Sequence, residues 1–324
     1  MPFQVAAVQI APKKADYACN LMRLGEVFAQ ADAMSPRPDV LVLPEAVLSG
    51  YFLEGGVRDV AQTREVVFAD LLDQYRKNAA SGLPMDVALG FYELYRGTYH
   101  NAALYATLTP GNGCSVEARA HHVHHKFFLP TYGVFDEKRF VSRGRTIQSF
   151  DTRFCRAAML ICEDVWHSVA ATLAALDGAQ VIYVLSASPG RDFAGEDLGN
   201  LARWKRILPE IAAEHNVWVV YSGLVGFEGG KGFTGSSCVI DPWGKVRVMG
   251  SVLNEELVTA PIDLEEIAVA RAASPMLANL ESALPDVAIA MDALAKRPHW
   301  IWTDTVPRSS DAGGAPQSGG TEDL

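Results

Sequence analysis

Residues 155–168 have the sequence CRAAMLICEDVWHS, and their pattern constrains the fold more than any other stretch of the chain. Five successive apolar residues, from Ala157 to Ile161, predict a strand that is covered on both faces. The polarity changes abruptly at Cys162, and a helical pattern follows from about Val165 to Leu176. We therefore expect Cys162 between a strand and the start of a helix, whose dipole favours the thiolate form. A cysteine taken alone is more often a small buried apolar residue, so this interpretation depends on two further segments.

Two other segments place an ionisable residue at the end of a predicted strand. The first, DVLVLPE at 39–45, ends on Glu45 and leads into a loop that contains Tyr51. The second, HHVHHKFFLPTYGVFDEKRF at 121–140, has Lys126 at the end of a strand-like segment, before a loop with a proline and a glycine. In open α/β sheets, ligands bind beyond the carboxyl ends of the strands. A carboxylate, an ammonium group and a thiol are each predicted at such a position, which indicates one shared site.

Three motifs in these segments resemble the Glu–Lys–Cys motifs of the nitrilase, or carbon–nitrogen hydrolase, superfamily. They are LPE at 43–45, Lys126 with LPTYGVFDEKRF at 129–140, and CEDVW at 162–166. The loop after Lys126 is most similar to that of the glutaminase domains of glutamine-dependent NAD synthetases. The resemblance covers residues 3–275 and implies a four-layer α-β-β-α sandwich. The alternation of predicted strands and helices by itself indicates only an α/β fold.

Length and composition are typical of a single soluble enzyme domain. The chain has 324 residues, of which 49% are hydrophobic, so a large core is expected. We predict one carbon–nitrogen hydrolase domain over residues 1–302 and a disordered, low-complexity tail over 303–324. A helical pattern over 197–215 contains Pro209, which should kink or split that helix.

The charge and the cysteines exclude several classes of partner and compartment. The net charge of −10 leaves no basic block for nucleic acid or for an anionic membrane. No apolar run approaches the roughly 20 residues needed to span a bilayer, and the N-terminus lacks the pattern of a signal peptide. Five scattered cysteines are typical of a reduced, cytoplasmic protein rather than a disulfide-stabilised one.

The resemblance implies a role for the central residue of each motif. Cys162 would be the nucleophile, and Glu45 would take its proton and return it to the leaving nitrogen. Lys126 would stabilise the developing oxyanion, together with a backbone N–H just after Cys162. Without the resemblance, a glutamate and a lysine such as Glu45 and Lys126 are more often an ordinary ion pair.

The resemblance also implies a supporting residue and a set of substrate contacts. Glu137 corresponds to the second glutamate that positions the lysine and the substrate in many members; the alternative is a solvated loop charge. The predicted substrate-binding residues are Tyr51, Tyr132, Glu163, Trp166, Ser188 and Arg191. The aromatic residues could instead pack in the core, and Arg191 could be a surface residue. In the glutaminase branch the arginine follows its Ser-Pro pair at a longer spacing, so the sequence does not assign glutamine as the substrate.

A run of histidines before Lys126 is an alternative site. On a strand, His122 and His124 would share a face with Lys126, and His121 and His125 would point the other way. A zinc site needs three or four converging ligands, so no metal and no other cofactor is predicted.

Together these observations predict a cofactor-free amidase that acts on a small molecule, an amide or a nitrile, through a thioester on Cys162. A nitrilase and an N-carbamoyl amide hydrolase are alternatives of the same class. A scaffold or binding module without activity and a redox-sensing thiol protein are alternatives of other classes. The substrate itself is not predicted.

The resemblance finally implies an assembly. Members of the superfamily commonly pair through the helices that flank the catalytic cysteine. We expect the helix after Cys162 to expose Val169, Ala170, Leu173 and Ala174, of which one side faces the sheet and the other a second copy. A homodimer, or a multiple of it, is therefore predicted.

Overall fold

The computed structural model describes residues 2–111, 113–190, 193–194 and 197–297. The chain forms two compact units, Met1–Ala278 and Asn279–Leu324, which are described separately. The larger unit contains two six-stranded sheets and most of the helices. The tail predicted at 303–324 lies outside the described residues.

The secondary structure alternates between strands and helices, as the sequence pattern predicts. In chain order the strands are β1 (Phe3–Gln9), β2 (Val40–Val42), β3 (Met85–Tyr95), β4 (Thr98–Leu108), β5 (Arg119–His125), β6 (Ser149–Asp151), β7 (Arg156–Ile161), β8 (Val181–Ser186), β9 (Phe193–Ala194), β10 (Asp197–Leu198), β11 (Trp218–Gly223), β12 (Phe227–Glu228), β13 (Lys231–Gly232), β14 (Cys238–Ile240), β15 (Val246–Met249) and β16 (Glu256–Ile262). The helices are α1 (Tyr17–Asp32), α2 (Val57–Val60), α3 (Arg64–Asn78), α4 (Ser168–Leu176), α5 (Gly199–His215), α6 (Glu265–Ala273) and α7 (Met276–Ala295). Short 3₁₀ helices cover Glu54–Gly56, Glu137–Arg139 and Cys162–Trp166.

The two large sheets share one design, a parallel centre with antiparallel edges. The first has the order β16-β1-β2-β3-β4-β5, and the second has the order β15-β14-β11-β8-β7-β6. Strands β1, β2 and β3 are parallel, and so are β7, β8 and β11. The carboxyl ends of parallel strands meet at one edge of a sheet, so the loops that follow β2, β7 and β8 lie where a site is expected.

Three apolar layers hold the larger unit together. The layer between the sheets is formed by side chains such as Val5, Tyr105, Met159 and Tyr183. A second layer lies between the first sheet and helices α1 and α3, and a third lies between the second sheet and helices α4 and α5. Each buried face adds about 25 cal/mol for every Å² of apolar surface that is removed from water. This arrangement confirms the predicted four-layer α-β-β-α sandwich.

Helix α5 is one continuous helix that contains Pro209, so the predicted split did not occur. The residues that it buries recur every three or four positions, among them Leu201, Trp204, Leu208 and Ile211. This stripe packs against the second sheet, and its burial outweighs the single backbone hydrogen bond that a proline removes.

Helix α4 faces the sheet with residues that we expected at its surface. Ala170 and Ala174 are fully buried, so the prediction that they are exposed was wrong. Leu173 is 44% exposed, and Val169 is partly exposed. Val169 and Leu173 are about one turn apart and share one side of the helix. Ala170 and Ala174 each follow by one residue, so they lie on the side that faces the sheet.

A β-bulge changes the direction of one histidine on β5. The pairing of β4 with β5 shifts between Tyr105 and Ala106, which leaves His121 as an extra residue. Its ring therefore packs on Tyr105 and its Nε2 lies 2.8 Å from the hydroxyl of Thr107, on the face that was predicted for His122. The prediction that His121 points away was wrong.

His122 makes the stability of the protein depend on pH. Burial lowers its pKa from 6.5 to about 4, and its ring stacks on Phe150. Between these values the unfolded chain binds the proton and the folded chain does not, so stability falls as pH decreases from 6.5 towards 4. At pH 5 the unfolding free energy lost in this way is about 2 kcal/mol, and we expect His122→Phe, which cannot bind the proton, to avoid that loss. Urea unfolding of both proteins at pH 5 and pH 8 measures the effect; parallel pH dependence would show that His122 is not buried as a neutral group.

The smaller unit is described by the part of α7 that begins at Asn279. Its apolar side chains, which include Ile289 and Met291, are exposed to solvent. We did not predict this helix from the sequence. Among the residues described, no helix has the length and apolarity needed to cross a bilayer.

Candidate active site

The three residues of the Glu–Lys–Cys motifs lie at the ends of three strands. Glu45 follows β2, Lys126 follows β5 directly, and Cys162 follows β7 directly. Gly90 on β3 allows the Glu45 segment to lie close to the sheet, because a Cβ atom there would be 2.5 Å from the Cα of Glu45. The fold therefore brings together residues that are 117 positions apart in the sequence, from 45 to 162.

Lys126 is fully buried between two carboxylates. Its Nζ lies 2.7 Å from Glu45 Oε1 and 2.8 Å from Glu137 Oε1. Burial alone would lower the pKa of Lys126, but the charges of Glu137 and Glu45 outweigh burial and hold that pKa well above its usual value. Lys126 is thus a buried cation that forms ion pairs with both carboxylates, so the ion pair named as the alternative is present, and it is fully buried.

Glu45 is held by hydrogen-bond donors on both of its oxygens. Oε1 accepts from Lys126 Nζ and from Asn101 Nδ2, each at 2.7 Å. Oε2 accepts from the backbone N–H of Ala187, also at 2.7 Å. A carboxylate with this set of donors has one orientation, which is a requirement for proton transfer at a defined atom.

Glu137 belongs to the same buried cluster. Its Oε1 accepts hydrogen bonds from Lys126, from Tyr51 Oη at 2.6 Å and from Asn101 at 3.3 Å. Its Oε2 is buried without a hydrogen-bond partner among the described residues. Burial raises the pKa of Glu137; Lys126 opposes this shift and Glu45 adds to it. The environment is not that of a solvated loop charge.

Tyr51 belongs to the buried cluster and also lines a cavity beside it. Its ring lies 5.6 Å from Lys126 Nζ, and its hydroxyl donates to Glu137. The backbone N–H groups of Tyr51 and Phe52 both donate to the buried carboxylate of Glu228, at 2.9 and 3.0 Å. Glu228 therefore fixes the loop that carries Tyr51.

Cys162 occupies a strained turn between β7 and the 3₁₀ helix Cys162–Trp166. Its φ angle is 45°, a left-handed conformation that costs a residue other than glycine roughly 1 kcal/mol or more. Ser186 Oγ donates to its Sγ at 3.4 Å. The α-helix that we predicted from Val165 begins only at Ser168, so the dipole of a long helix does not start at the thiol.

The surroundings of Cys162 favour the thiol, whereas the helix dipole was expected to favour the thiolate. Burial and the charge of Glu45 raise its pKa, and the opposing charge of Lys126 does not compensate. The residue is nevertheless partly exposed. A nucleophile of this kind needs a base beside it, which makes the position of Glu45 more important than the helix dipole.

The two residues predicted near the cysteine have different surroundings. Glu163 Oε2 accepts a hydrogen bond from the hydroxyl of Tyr132 at 2.8 Å, and Tyr132 is largely exposed. Trp166 packs in the layer under the second sheet, with the guanidinium of Arg203 at 4.1 Å from its ring. The exposed Tyr132 therefore contacts a buried carboxylate, that of Glu163, whereas Trp166 has the environment of a core residue.

Ser188 is buried, and its hydroxyl oxygen already has two donors. Asn200 Nδ2 lies at 2.9 Å and Trp204 Nε1 at 3.0 Å from Ser188 Oγ. The hydroxyl therefore has its own proton left to donate, for example to a carbonyl or carboxylate oxygen. Arg191, predicted as a neighbouring contact, lies outside the described residues.

Two small cavities open beside this cluster. One of about 290 Å³ is lined by Tyr51, Glu137 and the ring of Phe52, which stacks between Phe135 and Phe233. Another of about 300 Å³ is lined by Tyr132 and Glu163 among others. These volumes suit a small molecule rather than a polymer.

Asn101 and Glu228 were missed by the sequence analysis. Asn101 lies on β4 and donates to both Glu45 and Glu137. A signal existed for it, since asparagine is unfavourable in the interior of a strand and Asn101 stands before an apolar run. Glu228 lies on the short strand β12, far from the three motifs, and no local pattern marks it.

The histidines of β5 have separate partners. His124 Nε2 lies 2.8 Å from Asp164, His125 bonds to Glu93, and His121 lies beside Thr107. In the described part of the chain, no three His, Cys, Asp or Glu side chains converge as a metal-binding group.

Comparisons with known proteins agree with this geometry. The family model described as Carbon-nitrogen hydrolase matches residues 4–272. The glutamine-dependent NAD(+) synthetase of Thermotoga maritima is 29% identical over 266 residues, which are 81% of this chain and 42% of that protein. The 2-oxoglutaramate amidase of Bacillus subtilis is 27% identical over 253 residues, which are 77% of this chain and 88% of that protein.

A solved structure supports the same assignment at the level of the fold. The carbon-nitrogen hydrolase from Helicobacter pylori G27 superimposes with a TM-score of 0.72 at 23% identity, covering 85% of this chain and 94% of that one. The protein is an α/β sandwich of the nitrilase fold. The chain belongs to the carbon–nitrogen hydrolase family, within the nitrilase superfamily. It spans less than half the length of the NAD synthetase that it matches.

Proposed function

We propose that this protein hydrolyses a primary amide of a small molecule, with Cys162 as nucleophile, Glu45 as general base and acid, and Lys126 as oxyanion stabiliser. The observation that carries the proposal is the buried Lys126 cation, held between Glu45 and Glu137 at the strand edge where Cys162 begins its turn. The family membership supports hydrolysis of a carbon–nitrogen bond. The names of the relatives support an amide, since glutamine and 2-oxoglutaramate both carry a terminal carboxamide.

The first half of the reaction forms a thioester. Glu45 takes the proton of the Cys162 thiol as Sγ attacks the carbonyl carbon, and the oxygen becomes an oxyanion. Lys126 and a backbone N–H after Cys162 stabilise that charge in a site with little water. Glu45 then gives its proton to the nitrogen, the C–N bond breaks, and ammonia leaves.

The second half returns the enzyme to its resting state. A water molecule enters the place that ammonia left, and Glu45 removes one of its protons as the oxygen attacks the thioester. The C–S bond breaks, the carboxylic acid is released, and the proton on Glu45 returns to Sγ. One water is consumed and no redox partner is needed.

The other residues of the site have supporting roles in this proposal. Glu137, Asn101 and Tyr51 hold the Lys126 ammonium and the Glu45 carboxylate in place. Glu163 supplies an acceptor and Ser188 a donor for polar groups on the rest of the substrate, and Tyr132 orients the Glu163 carboxylate. Arg191 would favour a substrate with a carboxylate.

The choice between an amide and a nitrile can be measured directly. A nitrile gives a thioimidate first, which needs an added water and a further proton before nitrogen leaves, whereas an amide expels ammonia at once. We expect kcat/KM for a primary amide to exceed that for the nitrile with the same side chain by about tenfold or more. Ammonia release from matched amide–nitrile pairs, with mass spectrometry of adducts on Cys162, tests this. Faster turnover of the nitriles would identify a nitrilase, and preference for N-carbamoyl amides would identify the other alternative of this class.

We also propose a homodimer that pairs through α4. Leu173 is the large apolar side chain that this helix exposes, and Val169 is partly exposed one turn before it. Leu173→Glu should shift the protein towards the monomer in light scattering, whereas Val269→Glu on α6, at a residue that is 60% exposed, should not. A wild-type monomer at all concentrations would contradict the proposal.

A further inference from the structure

A cleft next to the candidate active site has a cationic lining, and it shares Lys138 and Arg143 with the cavity lined by Tyr132 and Glu163. Its volume is about 910 Å³, which is larger than that of either cavity described above. Five of its lining side chains are cationic: Arg64, Arg96, Lys138, Arg143 and Arg145. No Asp or Glu stands among the described residues that line it. This is a strong local excess of positive charge in a chain whose net charge is −10.

Among the described residues, only one of these cations, Arg64, has a carboxylate partner. Arg64 donates to the buried Glu93 through Nε at 2.6 Å and through its terminal nitrogen at 3.2 Å, and His125 bonds to the same carboxylate. Burial alone would raise the pKa of Glu93, but the hydrogen bonds from His125 and Arg64 outweigh burial and lower it. Glu93 is therefore charged and is neutralised by Arg64.

The remaining four cations lack such a partner. Within the described ranges, Arg96, Lys138, Arg143 and Arg145 have neither an ion pair nor a hydrogen bond from their charged groups to another residue, and all four are exposed. Like charges that share one concave surface raise the local positive potential and attract anions.

The backbone that carries two of the arginines is anchored to the sheet. The N–H of Ser142 donates to Tyr99 O at 2.8 Å, and the N–H of Gly144 donates to Lys126 O at 2.7 Å. These bonds flank Arg143 and precede Arg145, so the two side chains start from a fixed segment. A Cβ at Gly144 would overlap the backbone carbonyl of His125, which explains the glycine at this close approach.

Aromatic rings support three of the guanidinium groups. Those of Arg64 and Arg96 lie 4.9 and 5.1 Å from the ring centre of Tyr95, and that of Arg143 lies 5.0 Å from the ring centre of Phe127. Contact with a ring face limits the motion of the side chain and leaves its N–H groups free to donate. The cleft is thus a partly ordered set of donors rather than a group of unrestrained surface charges.

We propose that this cleft binds a small molecule that carries two or more phosphate groups. Arginine donates in pairs to phosphate oxygens, and a phosphate accepts from several directions, as cations on different segments require. The volume exceeds what a single phosphate fills and lies in the range of small-ligand sites. A long polyanion such as nucleic acid is disfavoured, because it would extend beyond the cleft. The rest of a chain with a net charge of −10 carries an excess of negative charge that repels it.

The proposal is tested by calorimetric titration of the full chain with tripolyphosphate, with citrate as a polycarboxylate of comparable charge. We expect one saturable site for tripolyphosphate, with citrate binding about tenfold more weakly. Arg143→Glu and Arg145→Glu should each weaken tripolyphosphate binding by about tenfold or more, and Arg143→Gln, which removes the positive charge without adding a negative one, should weaken it less. Arg58→Glu is the matched control, because Arg58 is an exposed arginine on α2 outside the cleft.

Three results would overturn the proposal. They are the absence of saturable tripolyphosphate binding to the wild-type chain, citrate binding as tight as that of tripolyphosphate, and equal weakening by Arg58→Glu and Arg143→Glu. Cys162→Ala should bind tripolyphosphate as the wild type does, so the cleft is tested independently of the proposed amidase activity. Thermal melts of each variant confirm that the chain is folded when it is titrated.

Discussion

Cys162→Ala is expected to abolish amide hydrolysis and leave the fold unchanged. The proposed reaction passes through a bond to Sγ, and no other described side chain occupies that place in the turn after β7. When the nucleophile of a catalytic unit is removed, kcat typically falls by about four orders of magnitude or more. Alanine keeps the Cβ and the left-handed backbone, so we expect unfolding free energy to change by about 1 kcal/mol or less. Ammonia release and a thermal melt of the same preparation measure both effects.

Cys155 provides the matched control for this experiment. It is a buried cysteine at the start of the same segment, in the layer between the sheets, and its Sγ lies 3.8 Å from the hydroxyl of Thr152. Cys155→Ala should retain kcat and lose some stability, which is the opposite of the result expected for Cys162→Ala. Wild-type activity in Cys162→Ala would eliminate the thioester mechanism.

Glu45→Gln is expected to lose activity about as completely as Cys162→Ala, because burial raises the pKa of the Cys162 thiol, which therefore depends on a base to form the thiolate. The structure adds a second effect. Both ends of the Glu45 carboxylate face donors, which are Lys126 and Asn101 on one side and the N–H of Ala187 on the other. A glutamine can place its oxygen at only one end, so its NH₂ group would face a donor. We therefore expect a loss of about 1–3 kcal/mol in unfolding free energy as well.

Asp86 separates the two effects. It is another fully buried carboxylate, with hydrogen bonds from Tyr105, Thr107 and Arg153, and it lies outside the candidate active site. Asp86→Asn should reduce stability and leave kcat within about twofold of wild type. The double variant of Glu45→Gln and Cys162→Ala should be no less active than either single variant. A loss of tenfold or less in Glu45→Gln would show that another group takes the proton.

The Glu45, Lys126 and Cys162 positions were predictable because the signals for them are local. Glu45 and Cys162 each end an apolar run, where the change from apolar to polar marks a strand end, and Lys126 comes directly before a loop with a proline and a glycine. The buried strands and the flanking helices also follow from the spacing of apolar residues within short segments. For this reason the layered α/β architecture could be predicted from the sequence. The turn after β7 was harder, since a five-residue 3₁₀ helix and an α-helix have similar patterns over one turn.

Protonation and support of the site depend on packing that no local pattern contains. The helix dipole argued for a thiolate at Cys162, but desolvation by the surrounding protein raises its pKa instead. Asn101 lies 56 positions from Glu45, and Tyr51 lies 86 positions from Glu137, so these hydrogen bonds exist only after the sheets have assembled.

The same division holds elsewhere in the chain. Strand β5 is readable from its residues, but the bulge that turns His121 inward follows from its pairing with β4. The basic residues near 143 and 145 are visible in the sequence, but their approach to Arg64 and Arg96 is not. Periodicity reports which residues are apolar and where elements begin and end. Charge state, hydrogen-bond partners and cavities are properties of surfaces that come together from distant segments, and the tertiary structure alone decides them.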